Sequence, residues 1–184
     1  MRSRKSYGRP VALCGMMAAL SVTLMHLGVI IPIMLYVAPM AACILVMFVC
    51  VECGLRFAWA EYAAAALLAV LFVPDKEIAF VFAFLGYYPL IKPKFDRLHP
   101  KLICTAAKLV YFNAAILAMY VLLYSIFFPG QLFTDLKAAG LLLTAMTLLV
   151  GNIAFFALDR ALLRFLYLYR MVWQKRLHRM LGWH

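Results

Sequence analysis

Long apolar runs separated by short polar breaks dominate the pattern of this 184-residue chain. Between Pro10 and Val51 there is no Asp, Glu, Lys or Arg, which leaves room for two membrane spans of about 20 residues each. The runs lack the strict alternation that is typical of a membrane β-barrel. The pattern therefore predicts an all-α integral membrane protein.

Six spans fit this pattern, and they form a single transmembrane domain. They cover about 11–31, 38–55, 57–73, 78–91, 102–128 and 138–158. Pro32 and Pro39 bracket a short loop after the first span. The fourth span is short at a rise of ~1.5 Å per residue, so it extends back into the "PDKE" turn at Pro74–Glu77, lies in a thinned membrane or is shielded by its neighbours.

Composition agrees with a membrane protein, since 68% of the residues are hydrophobic and 14% are charged. The net charge of +11 is explained by topology rather than by nucleic acid, because no basic soluble domain is present. With a cytoplasmic N-terminus, fifteen Lys and Arg residues fall on the inside, and only Lys76 and Lys137 fall on the outside. Both termini are therefore predicted to be cytoplasmic.

The C-terminal segment after Leu158 is basic and rich in aromatic residues. Arg160, Arg164, Lys175 and Arg179 fall on one side of a continuous helix. The segment 159–184 is therefore predicted to be an amphipathic helix on the cytoplasmic membrane surface, although a basic tail that only sets topology fits equally well.

No known catalytic pattern is found along the chain. There is no phosphate-binding GxxxxGK[ST] loop, no HExxH and no GxSxG. The CxxC of Cys50 and Cys53 lies within an apolar helix and has no second Cys or His pair nearby, so two membrane thiols are favoured over a metal site. We therefore expect no enzymatic activity, metal or cofactor.

Polar residues within the spans indicate a layer near the inner side of the membrane. Glu52, Glu61, Lys108 and Asn152 fall at similar depths, with Lys108 about 10 Å into its span by helical rise. Ionisable groups in a membrane are costly and usually paired, so Lys108 is expected to pair with Glu52 or Glu61. This layer fits either a structural lock or a role in coupling or ligand binding.

The outer half is rich in aromatic residues and has few polar ones. Tyr36, Phe84 and Tyr120, with His26 and Asn113, form the candidate binding set. An aromatic wall with few polar anchors suits a small flat or amphipathic ligand, although ordinary aromatic packing gives the same pattern.

Small residues on the first span predict a close contact with another helix. Cys14, Gly15, Ala18 and Ala19 include a small-xxx-small pair.

Taken together, these features resemble the substrate-binding (S) component of energy-coupling factor transporters. The resemblance rests on the length, the six spans, the small residues of the first span and the proline-bounded loop after it. The run "FLGYYPLIKPKFDRL", followed by "KLVYFN", is similar to uncharacterised bacterial members of the group.

The resemblance implies a bacterial plasma-membrane protein that binds a vitamin or other micronutrient from outside. The loops Pro32–Pro39 and Pro74–Glu77 would cover the ligand. The small-residue face of the first span would dock on a membrane scaffold protein that carries two cytoplasmic ATPases.

Two other classes stay open. One is a scaffold protein of the cell envelope, similar in architecture to the rod-shape protein MreD. The other is a membrane enzyme acting on lipid or isoprenoid substrates, for which only the layer around Glu52, Glu61 and Lys108 offers acid and base groups.

Overall fold

The described part of the chain is helical in a computed structural model, which describes residues 8–31, 34–96, 101–127, 132–169 and 171. Its α-helices are α1 (Gly8–Ile30), α2 (Met34–Cys53), α3 (Leu55–Phe72), α4 (Lys76–Leu85), α5 (Tyr88–Phe95), α6 (Lys101–Phe127) and α7 (Leu132–Leu168). Within the described residues, six helical segments are long and apolar enough to cross a membrane, with α4 and α5 counted as one. The all-α fold with six candidate spans is thereby confirmed.

The fourth span differs most from its predicted bounds, because it runs from Lys76 to Phe95 rather than from 78 to 91. It is broken at Gly86 and Tyr87, and Pro89 lies in the first turn of α5. A Cβ atom at Gly86 would lie 2.5 Å from the carbonyl oxygen of Phe82, so only glycine fits this break. The extension brings Lys92, which the sequence places in a loop, into the span.

The other boundaries shift for local reasons. The chain is already helical from Met34, so most of the predicted loop from Pro32 to Pro39 belongs to α2, and Pro39 lies inside that helix. The predicted boundary at Leu158 is wrong, because α7 continues without a break to Leu168. Most of the predicted surface helix 159–184 lies outside the described residues.

Contacts between helices define two ends of the bundle. We call the end at which α1 begins the proximal end, and the end with the turn before α4 the distal end. Cys14 contacts Phe57 and Ser21 contacts Glu61, so α1 and α3 run in the same direction. One apolar core joins α1, α2 and α3 with residues of α4 and α5, and a second joins α2, α4, α5, α6 and α7.

The closest helix approach on α1 lies at Gly28. A Cβ atom there would lie 2.8 Å from Ala38 Cβ and 3.2 Å from the carbonyl oxygen of Met34. By contrast, a Cβ atom at Gly15 would meet nothing within 4 Å. Sequence spacing identified the small-residue motif near the proximal end of α1. The tight contact within the bundle instead lies at Gly28, near the distal end of the same helix.

A matched pair of glycine substitutions tests this contact. We expect Gly28→Ala to destabilise the protein by about 1–3 kcal/mol, because the added methyl group overpacks the contact between α1 and α2. Gly15→Ala should be neutral or slightly stabilising, since alanine favours a helix and the space is free. Thermal unfolding in detergent measures both variants, and equal effects at the two positions would contradict the assignment.

Candidate functional site

A group of buried charges lies at the proximal end, where α5, α6 and α7 meet. We call Tyr88, Lys92, Asp96, Lys108 and Asp159 the proximal ion cluster. Lys108 Nζ lies 2.6 Å from Asp96 Oδ1 and 3.1 Å from Asp159 Oδ2. The Tyr88 hydroxyl donates to Asp159 Oδ1 at 2.5 Å, and Lys92 donates to the same oxygen. Asp159 of α7 thus accepts hydrogen bonds from side chains of both α5 and α6 and joins the three helices.

Burial explains why the cluster has this composition. Lys92, Lys108 and Asp159 are all buried, whereas the side chain of Asp96 is 37% exposed. Two lysines and two aspartates cancel, so the cluster carries no formal net charge. A charge removed from water is tolerated only when it is paired and hydrogen-bonded, and each buried charge here has such partners.

The predicted partners of Lys108 are wrong. Lys108 does not pair with Glu52 or Glu61, because α6 packs against α4, α5 and α7, whereas Glu61 on α3 faces α1. Glu52 accepts a hydrogen bond from the Tyr169 hydroxyl, just beyond α7. The residues of the predicted inner layer therefore take part in separate helix contacts and do not interact as one group.

Asn113 and Asn152 form a reciprocal amide pair between α6 and α7. Asn113 Nδ2 lies 3.0 Å from Asn152 Oδ1, and Asn152 Nδ2 lies 3.3 Å from Asn113 Oδ1. Each amide also donates to the backbone of its own helix. The placement of these residues in different layers is therefore wrong, and their hydrogen bonds join helices rather than face a ligand.

A cavity of about 390 Å³ opens in the distal half, between α2, α4, α6 and α7. Its wall is apolar apart from two tyrosines, a threonine and exposed backbone. It is lined by Tyr36, Met40, Val81, Leu85, Phe112, Ile116, Met119, Tyr120, Met146, Thr147, Leu148, Val150, Gly151 and Ala154. The structure thus brings together Tyr36 and Tyr120 of the predicted binding set.

Glu77 connects the two cavity tyrosines. The Tyr36 hydroxyl donates to Glu77 Oε1 at 2.9 Å, and the Tyr120 hydroxyl donates to the same oxygen at 2.8 Å. Asp75 caps α4 by accepting from the Glu77 backbone, which fixes this turn. Sequence reasoning placed Glu77 in the "PDKE" turn that would cover the ligand but did not name it as a site residue, although the Asp-x-Glu spacing is typical of a helix start.

The remaining predicted site residues lie elsewhere. His26 Nδ1 is bonded to the Val22 carbonyl of its own helix, and neither His26 nor Phe84 lines the cavity. On α1, Cys14 and Ala18 are buried inside the bundle, so their predicted contact with a partner protein is wrong. Gly15 and Ala19 are exposed, so a contact with a partner protein stays a prediction for these two residues.

Removing the shared acceptor tests the ion cluster. We expect Asp159→Asn to destabilise the protein by about 3 kcal/mol or more, because two buried lysines lose their common counter-charge. Asp96→Asn is the matched control and should cost less, since Asp96 is half-exposed and water can replace it. Thermal unfolding in detergent compares the variants, and an Asp96 effect equal to or larger than that of Asp159 would contradict this assignment.

The amide pair is tested by a double-mutant cycle. Asn113→Ala and Asn152→Ala should show a coupling energy of about 0.5–1.5 kcal/mol, the range found for hydrogen bonds between membrane helices. Unfolding of the wild type, both single variants and the double variant measures this energy. Strictly additive effects would show that the pair does not join α6 to α7.

Comparisons with family models, with curated proteins and with solved structures found no match to this chain. Its function is therefore inferred from the proximal ion cluster and from the cavity in the distal half.

Proposed function

We propose that the chain is the membrane-embedded substrate-binding subunit of an ATP-driven micronutrient importer and that its ligand occupies the distal cavity. The observation that carries the proposal is the apolar cavity with Tyr36 and Tyr120 in its wall. Its volume of about 390 Å³ lies within the range of small-molecule pockets, which are apolar with a few polar anchors. In the proximal ion cluster, by contrast, the charged groups pair with one another.

The hydrogen bonds around Glu77 favour a particular ligand chemistry. Both tyrosine hydroxyls direct their hydrogens to the Glu77 carboxylate, so their oxygens are left to accept hydrogen bonds. The negative charge of the carboxylate behind them favours a positive or hydrogen-bond-donating group. The proposed ligand is therefore a flat, largely apolar molecule with an N–H or cationic group.

The expected topology agrees with uptake from outside. With the N-terminus in the cytoplasm, as the distribution of basic residues predicts, the cavity is in the outer half of the membrane. The proposed partners are a membrane scaffold protein and two cytoplasmic ATPases. Gly15 and Ala19 are the exposed small residues of α1 that support close docking of a scaffold helix.

The proposal is tested by finding the ligand and then removing its anchors. Mass spectrometry of the purified protein should detect a co-purified small molecule, and a thermal-shift screen of vitamins should identify a stabilising compound. Tyr120→Phe and Glu77→Gln should each weaken its binding about tenfold, the equivalent of one lost hydrogen bond. Tyr124→Phe is the matched control, since Tyr124 lies one turn further along α6 and does not line the cavity.

Two outcomes would contradict the proposal. If no small molecule co-purifies or stabilises the protein and no scaffold and ATPases are captured with it, the non-transporting scaffold function is favoured instead. If a ligand binds but Tyr120→Phe and Tyr124→Phe have equal effects, the ligand does not occupy the distal cavity.

A further inference from the structure

Glu61 lies in the middle of the contact between α1 and α3, and its side chain is 1% exposed. One carboxyl oxygen, Oε1, lies 3.5 Å from the Ser21 hydroxyl of α1, which is fully buried. The other, Oε2, is buried and has no hydrogen-bond partner among the described residues. This environment is the opposite of that of Asp159, which has three donors.

Among the described residues, no cation acts on Glu61. The buried lysines Lys92 and Lys108 pair instead with the aspartates of the proximal ion cluster. The titratable groups that act on Glu61 from α1 and α2 are the thiols of Cys14 and Cys43. Of the ionisable residues of α4 and α5, Lys76, Glu77, Tyr88 and Lys92 have other partners, and Lys94 is exposed.

The free-energy cost of burying an unpaired charge favours the protonated form of this carboxyl group. An ionised carboxylate without a counter-charge or sufficient donors is very costly in an apolar interior, and the group instead takes up a proton. A metal cation is excluded on coordination, because hard cations take about six or more oxygen ligands. Among the described residues, no group of three or more His, Cys, Asp or Glu side chains could hold a metal ion.

We propose that Glu61 and Ser21 form a buried proton-binding site between α1 and α3. The proton is held while the two helices are in contact. Separation of α1 from α3 would admit water, which allows the carboxyl group to ionise and release the proton. The site makes this helix contact sensitive to pH, and it does not depend on the ligand proposed for the distal cavity.

Infrared spectroscopy of the purified protein at neutral pH tests the site. A protonated carboxyl group has a carbonyl stretching band that an ionised carboxylate lacks. We expect this band in the wild type and its loss in Glu61→Gln. Glu52→Gln is the matched control and should keep the band, because it removes a different, half-buried glutamate at the same end of the bundle.

Stability provides a second measurement. Glutamine mimics the protonated acid, so Glu61→Gln should fold and be at least as stable as the wild type at neutral pH. As the pH rises, the wild type should lose thermal stability relative to Glu61→Gln, because the opened form gives up a proton that the closed form holds. A strongly destabilised Glu61→Gln, a carboxylate band from Glu61 at neutral pH, or a sodium requirement for folding would each overturn the proposal.

Discussion

The pairing of Asp159 with Lys92 and Lys108 is the interaction on which the arrangement of α5, α6 and α7 depends. A buried carboxylate needs its counter-charges within hydrogen-bonding distance, and these come from two other helices. Lys92 reaches Asp159 only because the fourth span continues through the break at Gly86 to Phe95. Equally, α7 stays within the bundle beyond Leu158, because Asp159 must remain beside both lysines.

The spans could be predicted from the sequence because hydrophobicity is a local property of each segment. The helix neighbours could not, because the position of a residue along its helix gives only its depth in the membrane. Lys108, Glu52 and Glu61 share a depth, yet Lys108 faces α5 and α7 whereas Glu61 faces α1. Lys92 was missed as a partner because the predicted fourth span ended at residue 91, one residue before it.

Because depth does not determine which helix a residue faces, only part of the predicted binding set lines the distal cavity. Tyr36 and Tyr120 were predicted from their aromatic character and depth, and both line the cavity. Asn113 was predicted from its polarity and depth, but it faces Asn152, and the two amides satisfy each other. Polarity within a span thus identifies a residue that needs a partner, and only packing decides whether that partner is another helix or a ligand.

Asp159 and Glu61 are both buried carboxyl groups near the proximal end, but their surroundings compensate a negative charge differently. Asp159 keeps its charge because two lysines and a tyrosine surround it, so the contacts among α5, α6 and α7 persist wherever those lysines stay charged. Among the described residues, Glu61 has a serine beside it and no cation, so neutrality there depends on a proton. A charge pair resists separation over a wide pH range, whereas a bound proton is lost as soon as water enters. The contact between α1 and α3 is therefore the one that loss of this proton would weaken, and α1 also carries the exposed Gly15 and Ala19.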